Sequence, residues 1–231
     1  MHEITTFGIP LWAELVAVGR GALQGALFAG AFADRRVDVL GVVLVGIGGA
    51  LGGSVVRDLL LGEPPVVIRG EWYVLVAGGA ALLGMCLQPV FARLGPVILA
   101  LDAVTIGLFG VIGASKALSL GVPSVPAMFV GTLAAVGGTV LRDVMLDRPV
   151  TLLHIGTLYA VAAAAGTLLL VVLVAVGVRV PTAAIAGVVL TTAVRLLAVG
   201  LGWSFPAQQA LVLRRRPEPR AQDPLGRADT T

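Results

Sequence analysis

The sequence predicts an all-α membrane protein of seven transmembrane helices, built as a 3+3 inverted repeat plus a seventh helix, with the second and fifth helices kinked. Three observations predict it. Of 231 residues, 58% are hydrophobic and 13% charged, and mean hydropathy is +1.00, whereas soluble domains carry about a quarter charged residues. The apolar residues fall into seven runs near the length at which a helix rising about 1.5 Å per residue crosses about 30 Å of hydrocarbon. One motif closing the second run recurs at the close of the fifth. This composition excludes an ordinary cytosolic enzyme, a disordered chain and a nucleic-acid-binding domain.

The spans follow in order, each bounded by charge, Gly or Pro: Leu11 to Phe32, Val39 to Leu61, Trp72 to Val90, Val97 to Leu118, Ser124 to Leu146, Leu152 to Gly177 and Pro181 to Trp203. The two repeats cover about 11–94 and 97–177, and the seventh helix about 181–203. Residues 1–206 thus form one transmembrane domain. From Ala207 onward hydrophobic periodicity gives way to Pro and charge, so 207–231 reads as a mobile tail. The N-terminus lacks a basic segment and a small-residue cleavage site, and is expected to be retained.

Charge placement sets the orientation. The pI near 9.7 suggests a phosphate-binding surface only until the tail is separated, since it holds five Arg against Glu218, Asp223 and Asp229 and leaves the body 11 positive against 10 negative. Arg35, Arg36, Arg93, Arg148 and Arg214 to Arg216 share one side of the membrane. The other side has Arg69, Arg179 and Lys116 near a helix end. Short loops rich in Lys and Arg stay cytoplasmic, so a multi-pass plasma (inner) membrane protein is expected, N-terminus outside and C-terminus cytoplasmic. Trp12, Trp72 and Tyr73 would then form the outer aromatic belt and Trp203 the inner one.

The repeat carries the candidate chemistry. GGSVVRDLLLGEPPV from Gly52 matches GGTVLRDVMLDRPV from Gly137 at an offset of 85, with Gly46 matching Gly131. Further upstream, GAFA from Gly30 corresponds loosely to GASK from Gly113 after a shift of two. Each unit holds three spans, and an odd number inverts the second copy, the plan of many transport proteins. Gly52-Gly53 followed by Ser54, and Gly137-Gly138 followed by Thr139, lie near the middle of their spans. Adjacent glycines weaken a helix by about 1 kcal/mol each relative to Ala. Two readings stand: the helix opens there and offers carbonyls and hydroxyls to a cation, or the glycines pack helices closely as GxxxG pairs.

Arg57-Asp58 and Arg142-Asp143 follow at the same distance in both copies. Charge inside a membrane is expensive, so they should face an aqueous vestibule or each other. Adjacent side chains on a helix diverge, so each Arg is expected to pair with another span. Asp102 and Lys116 occupy opposite ends of span four; Lys116 either snorkels to the interface or stands in a conduction path. Arg20 and Arg195, deep in spans one and seven, would pair with Glu14 or with lipid phosphates. Cys86, the single cysteine, reads as a buried small hydrophobe.

Enzymatic motifs are absent: no HExxH, no GxSxG and no Cys/His cluster, with His2 and His154 the only imidazoles. Asp58 and Asp143 could suggest an aspartyl protease, but the Arg before each would hold it ionised. No enzyme activity, no cofactor, no metal site beyond the permeating ion and no nucleic-acid partner are expected.

The doubled GG-[ST]-x-x-RD-x-x-L-x-x-P, the LDAVTIGLFGVIGASKAL stretch of span four and the 3+3+1 plan resemble the trimeric intracellular cation (TRIC) channel family, whose prokaryotic members are also described as a glycine-transporter domain. The match covers roughly Gly19 to Gly202. The resemblance implies a homotrimer with an hourglass pore in each protomer and potassium as the chief ion. Gly52, Gly53, Ser54, Gly137, Gly138 and Thr139 become kink and constriction. Arg57, Asp58, Arg142, Asp143 and Asp102 become vestibule charges, and Lys116 a candidate gating residue. The chain departs from relatives in having Gly19-Arg20 where they carry an acid in register with Asp102, and Gly62 where the second copy has Asp147. The resulting expectation is a passive channel for potassium and sodium ions, with membrane lipids at the subunit seams. A secondary transporter of glycine or another small zwitterion is the alternative, since inverted repeats with broken helices serve both; a non-conducting scaffold is a third reading.

Overall fold

The computed structural model describes residues 10–31, 38–91, 95–150 and 158–203. Among these residues the chain forms eight helices and no strand: α1 (Leu11–Ala31), α2 (Val39–Leu60), α3 (Val66–Arg69), α4 (Glu71–Phe91), α5 (Gly95–Ser119), α6 (Ser124–Met145), α7 (Tyr159–Ala175) and α8 (Val180–Gly200). Seven of them have 17 to 25 residues and overlap the expected spans. α3, a single turn after Pro64-Pro65, was not foreseen, because four residues carry no periodicity.

Five of the long helices, α2, α4, α5, α6 and α8, are long and apolar enough to cross a bilayer. α1 has 21 residues but carries Glu14, Arg20 and Gln24. α7 begins at Tyr159 and has 17 residues; the first part of expected span six lies outside the described residues. So do His154, Arg35, Arg36, Arg93 and the tail from Ala207.

The surface is apolar, and the interior places polar and charged side chains among small apolar ones. Large apolar side chains such as Leu40, Ile68, Val125 and Ile185 are exposed, while Gln24, Arg57, Asp58, Asp102, Arg142, Asp143 and Arg195 are buried. Lipid is the solvent that rewards this arrangement, because polar groups there need protein partners. Where helices meet, small residues let backbones approach: Ala22, Ala26, Ala50, Ala77 and Ala81 are wholly buried. α1 packs between α2 and α4, α5 packs on α6, α7 and α8, and α2 crosses α6 to join the halves. α4 lies at the periphery, and Cys86 on it is exposed rather than buried.

Trp12, Trp72 and Trp203 are exposed near helix ends, as an aromatic belt requires. Tyr73 is not in that belt. It is buried, and its hydroxyl donates to Glu14, a partner that holds it inside.

The repeat persists in the turns. α2 and α6 end alike, with the Leu61 and Leu146 amides donating to the Arg57 and Arg142 carbonyls, and the Glu63 and Arg148 amides to the Asp58 and Asp143 carbonyls. The residue between is left-handed in both, Gly62 at φ 68° and Asp147 at φ 50°. Glycine adopts that conformation without cost, and aspartate is among the few others that tolerate it. The Gly62/Asp147 difference is therefore two solutions to one turn.

Candidate functional site

The site begins where α2 crosses α6. A Cβ added at Gly53 would fall under 3.0 Å from the Ala134 carbonyl oxygen, and one at Gly138 under 3.0 Å from the Gly49 carbonyl oxygen. Gly53 and Gly138 are 85 positions apart, as are Gly49 and Ala134, so the two contacts are one contact made twice. Likewise a Cβ at Gly52 would lie 3.3 Å from the Gly138 Cα, and one at Gly137 3.3 Å from the Gly53 Cα. Reciprocal contacts of this kind are what a two-fold relation between the copies requires.

Both helices run unbroken through their glycines. Neither opens to release carbonyls there, and close packing is what these glycines provide, because each meets backbone of the facing helix. Ser54 returns its hydroxyl to the Leu51 carbonyl at 2.8 Å, within its own helix.

Beside the crossing lies a cavity of about 20 Å³, lined by Gly21, Gln24, Gly25, Gly49, Asp102, Thr105, Ile106, Phe109, Ala135, Gly138, Thr139 and Arg142. About one water-sized particle fits such a space. Of the residues expected at the constriction, Gly138 and Thr139 reach this cavity. Gly52 and Gly137 instead line an apolar groove on another flank, with Val55, Val56, Val140 and Val144.

Four side chains with oxygen atoms, Gln24, Asp102, Thr105 and Thr139, stand on the cavity wall among glycines, apolar residues and Arg142. Asp102 accepts from the Gln24 amide and the Tyr159 hydroxyl, and Arg195 of α8 lies 3.9 Å from its Oδ2. Arg195 also sits 4.1 Å over the Tyr159 ring. Asp102 is thus a partner of Arg195, where Glu14 or phosphate was expected. Thr105 donates to the Leu101 carbonyl at 2.8 Å. A hydroxyl whose proton is tied off in this way presents lone pairs to its other side.

The Arg-Asp pairs correct one expectation in part. Arg57 Nε donates to Asp58 Oδ1 at 2.8 Å, and Arg142 Nε and Nη2 donate to Asp143 Oδ1 at 3.1 and 2.8 Å. Each Arg pairs with its own neighbour, because a long guanidinium side chain can bend back across the angle that separates short ones. All four residues are buried in protein rather than set in an open vestibule. Arg57 Nη1 also comes within 3.5 Å of Glu14. Asp58 further accepts from the Val66 amide at 2.9 Å and from Lys116 Nζ at 2.7 Å. Lys116 therefore turns inward onto Asp58 instead of snorkelling.

Contacts also correct the register of α1 against α5. A Cβ at Gly25 would lie 3.1 Å from the Gly46 Cα, and one at Gly113 3.1 Å from the Gly131 Cα. Gly25 and Gly113 are 88 positions apart, not the 83 that links Gly30 to Gly113. The two helices share too few identical residues for the sequence to reveal this. In the corrected register Glu14 answers to Asp102, so the first copy does carry an acid, five residues before Gly19. Each acid accepts from a tyrosine, Tyr73 or Tyr159, at the start of its copy's third helix. Glu14 and both tyrosines are the residues that sequence reasoning missed as site members; the paired tyrosines were the available signal.

Known proteins share this architecture. The family model described as "Glycine transporter" matches residues 11–89 and 99–175. The UPF0126 inner membrane protein YadS of Escherichia coli K12 is 31% identical over 191 residues, 81% of this chain and 90% of that protein. A UPF0126 membrane protein of Deinococcus radiodurans is 34% identical over 157 residues, 67% and 72% of the two chains. Among solved structures, the TRIC trimeric intracellular cation channel orthologue from Rhodobacter sphaeroides superposes with a TM-score of 0.76 at 29% identity, covering 84% of this chain and 98% of that one. A structure from work on conductance through TRIC cation channels gives 0.75 at 30% identity, covering 84% and 95%. With its apolar helices, this makes the protein a multi-pass membrane protein. The chain belongs to the family described as "Glycine transporter", and within it to the prokaryotic TRIC channel proteins.

Proposed function

We propose that the protein is a passive channel for monovalent cations, chiefly potassium, with a path through each protomer and three protomers in the assembly. The observation that carries this reading is the small cavity at the crossing of α2 and α6, with Asp102 on one wall and Thr139 on another. Its volume suits one water or one dehydrated ion, and the Gln24 amide oxygen and the Thr105 and Thr139 hydroxyls are groups that can replace a hydration shell. The charge of Arg142 is matched within its own turn by Asp143, and Asp102, the acid on the cavity wall, has Arg195 at 3.9 Å.

Gly53 and Gly138 act here by holding α2 against α6, while Thr139 and Asp102 face the ion. Lys116, bonded to Asp58 at one mouth, is the gating residue of this reading. Its ammonium crosses part of the membrane field if it leaves Asp58, a work of at most about 2.3 kcal/mol per 100 mV. The N-terminus lies outside and the C-terminus in the cytoplasm, with lipids at the seams between subunits. No covalent chemistry enters.

The test is recording from purified protein in planar bilayers under asymmetric KCl. Discrete current steps reversing near the potassium potential are expected. Silence in the bilayer with saturable, ion-coupled glycine uptake in liposomes would overturn the channel reading in favour of a transporter. In the conducting protein, Lys116→Ala is expected to keep the assembly intact and to alter the dependence of open probability on voltage. An unchanged open probability across voltages removes Lys116 from the gate.

A further inference from the structure

The 88-position register that links Gly25 to Gly113 also sets Phe28 in the place of Lys116. The two mouths therefore share an Arg-Asp pair and a tyrosine-bound acid, but differ in what α1 or α5 lays against the pair. In the first copy it is the Lys116 ammonium, 2.7 Å from Asp58. In the second it is the Phe28 ring, with the Arg142 guanidinium carbon 3.6 Å from the ring centroid and that of Arg148 at 5.7 Å. An ammonium at Phe28 would be a third cation beside these two. An aromatic face attracts a guanidinium without adding charge.

We propose that Phe28 is a positioning residue for ion passage: its ring holds the Arg142 guanidinium at the edge of the central cavity and so sets how much of that positive charge a passing cation meets. Arg142 lines the cavity together with Asp102, Gly138 and Thr139. Asp143 grips the guanidinium along one edge, through Nε and Nη2, and leaves its faces open. Phe28 covers one of those faces. Without the ring, the edge-on grip still permits rotation toward Asp102 on the cavity wall. That rotation places a positive group across the route of a cation. The inference rests on the channel reading given above and deepens it.

The experiment is single-channel recording of Phe28→Leu and Phe28→Tyr, each alone and in a background where Arg142→Gln and Asp143→Asn together remove the ion pair. A buried cation–π contact shifts a conformational equilibrium by about threefold to thirtyfold. Phe28→Leu is expected to lower potassium conductance about threefold or more, and Phe28→Tyr, which keeps the ring, to preserve it. In the background lacking the ion pair, Phe28→Leu should have no further effect. If Phe28→Leu does not assemble, Phe28→Met supplies a similar volume without a π face. Unaltered conductance in assembled Phe28→Leu, or an equal loss with and without Arg142, overturns the role of Phe28 while leaving the channel intact. A wild-type protein that passes no current overturns the channel reading, and this inference falls with it.

Discussion

Replacing Gly138 with alanine is expected to destabilise the protein by about 2 to 3 kcal/mol, the scale of forcing an extra methyl into packed structure. The added Cβ meets the Gly49 carbonyl oxygen, and backbone cannot rotate away as a side chain can. α2 and α6 must separate, which opens the crossing and the cavity beside it. Gly53→Ala should do the same, because it meets the Ala134 carbonyl through the matching contact. Gly79 in α4 is the control, since a Cβ there has nothing within 4 Å. Gly79→Ala should leave stability unchanged or raise it by about 1 kcal/mol through helix propensity. Denaturation in detergent, followed by helical signal, makes the comparison. Equal stability of Gly138→Ala and Gly79→Ala would show that the crossing tolerates separation.

Asp58→Ala is expected to cost about 3 to 5 kcal/mol, the range for breaking a buried ion pair by removing one partner. Asp58 is fully buried and is the acceptor for Arg57, for Lys116 and for the Val66 amide. Its loss takes the acidic partner from the Lys116 ammonium and leaves Arg57 with Glu14, which it meets at 3.5 Å. Lys116→Met should be far milder, since Asp58 then keeps Arg57 and the Val66 amide. Removing both cations with the acid, as Arg57→Leu and Lys116→Met added to Asp58→Ala, should recover part of the loss, because neither cation is then stranded, while Glu14 loses Arg57 and keeps the Tyr73 hydroxyl. The same unfolding assay reads all three variants. A triple variant no more stable than Asp58→Ala would mean that the Val66 contact, which seats α3, carries the effect instead.

Much of the architecture was legible in the chain. Hydrophobic runs of membrane-crossing length placed six of the long helices to within a few residues, because lipid thickness sets helix length directly; the start of span six lies outside the described residues. The 85-residue repeat survived in identical letters, Gly-Gly and Arg-Asp, and so revealed which residues occupy matching positions. What stayed hidden were relations that depend on how helices sit against one another. The 88-position register of α1 against α5 left few identical residues, so Glu14 was not matched to Asp102, nor Phe28 to Lys116. Each Arg was expected to pair with another span; Arg57 does reach Glu14 of α1, but a bend in the long side chain also seats each Arg on its own neighbouring Asp. Tyr73 and Cys86 exchanged their expected places, one inside and one out, because the position of α4 at the periphery is not written in its own periodicity.

The sequence by itself determined that this is a membrane protein of repeated helices, and which polar residues are too costly to face lipid. Only the tertiary structure decided where those polar residues go. Burial in lipid obliges each charge to find a partner but does not name it; the packing of α1 and α5 on α2, and of α8 on α5, does, because it brings Glu14 and Lys116 to the Arg57-Asp58 pair and Arg195 to Asp102.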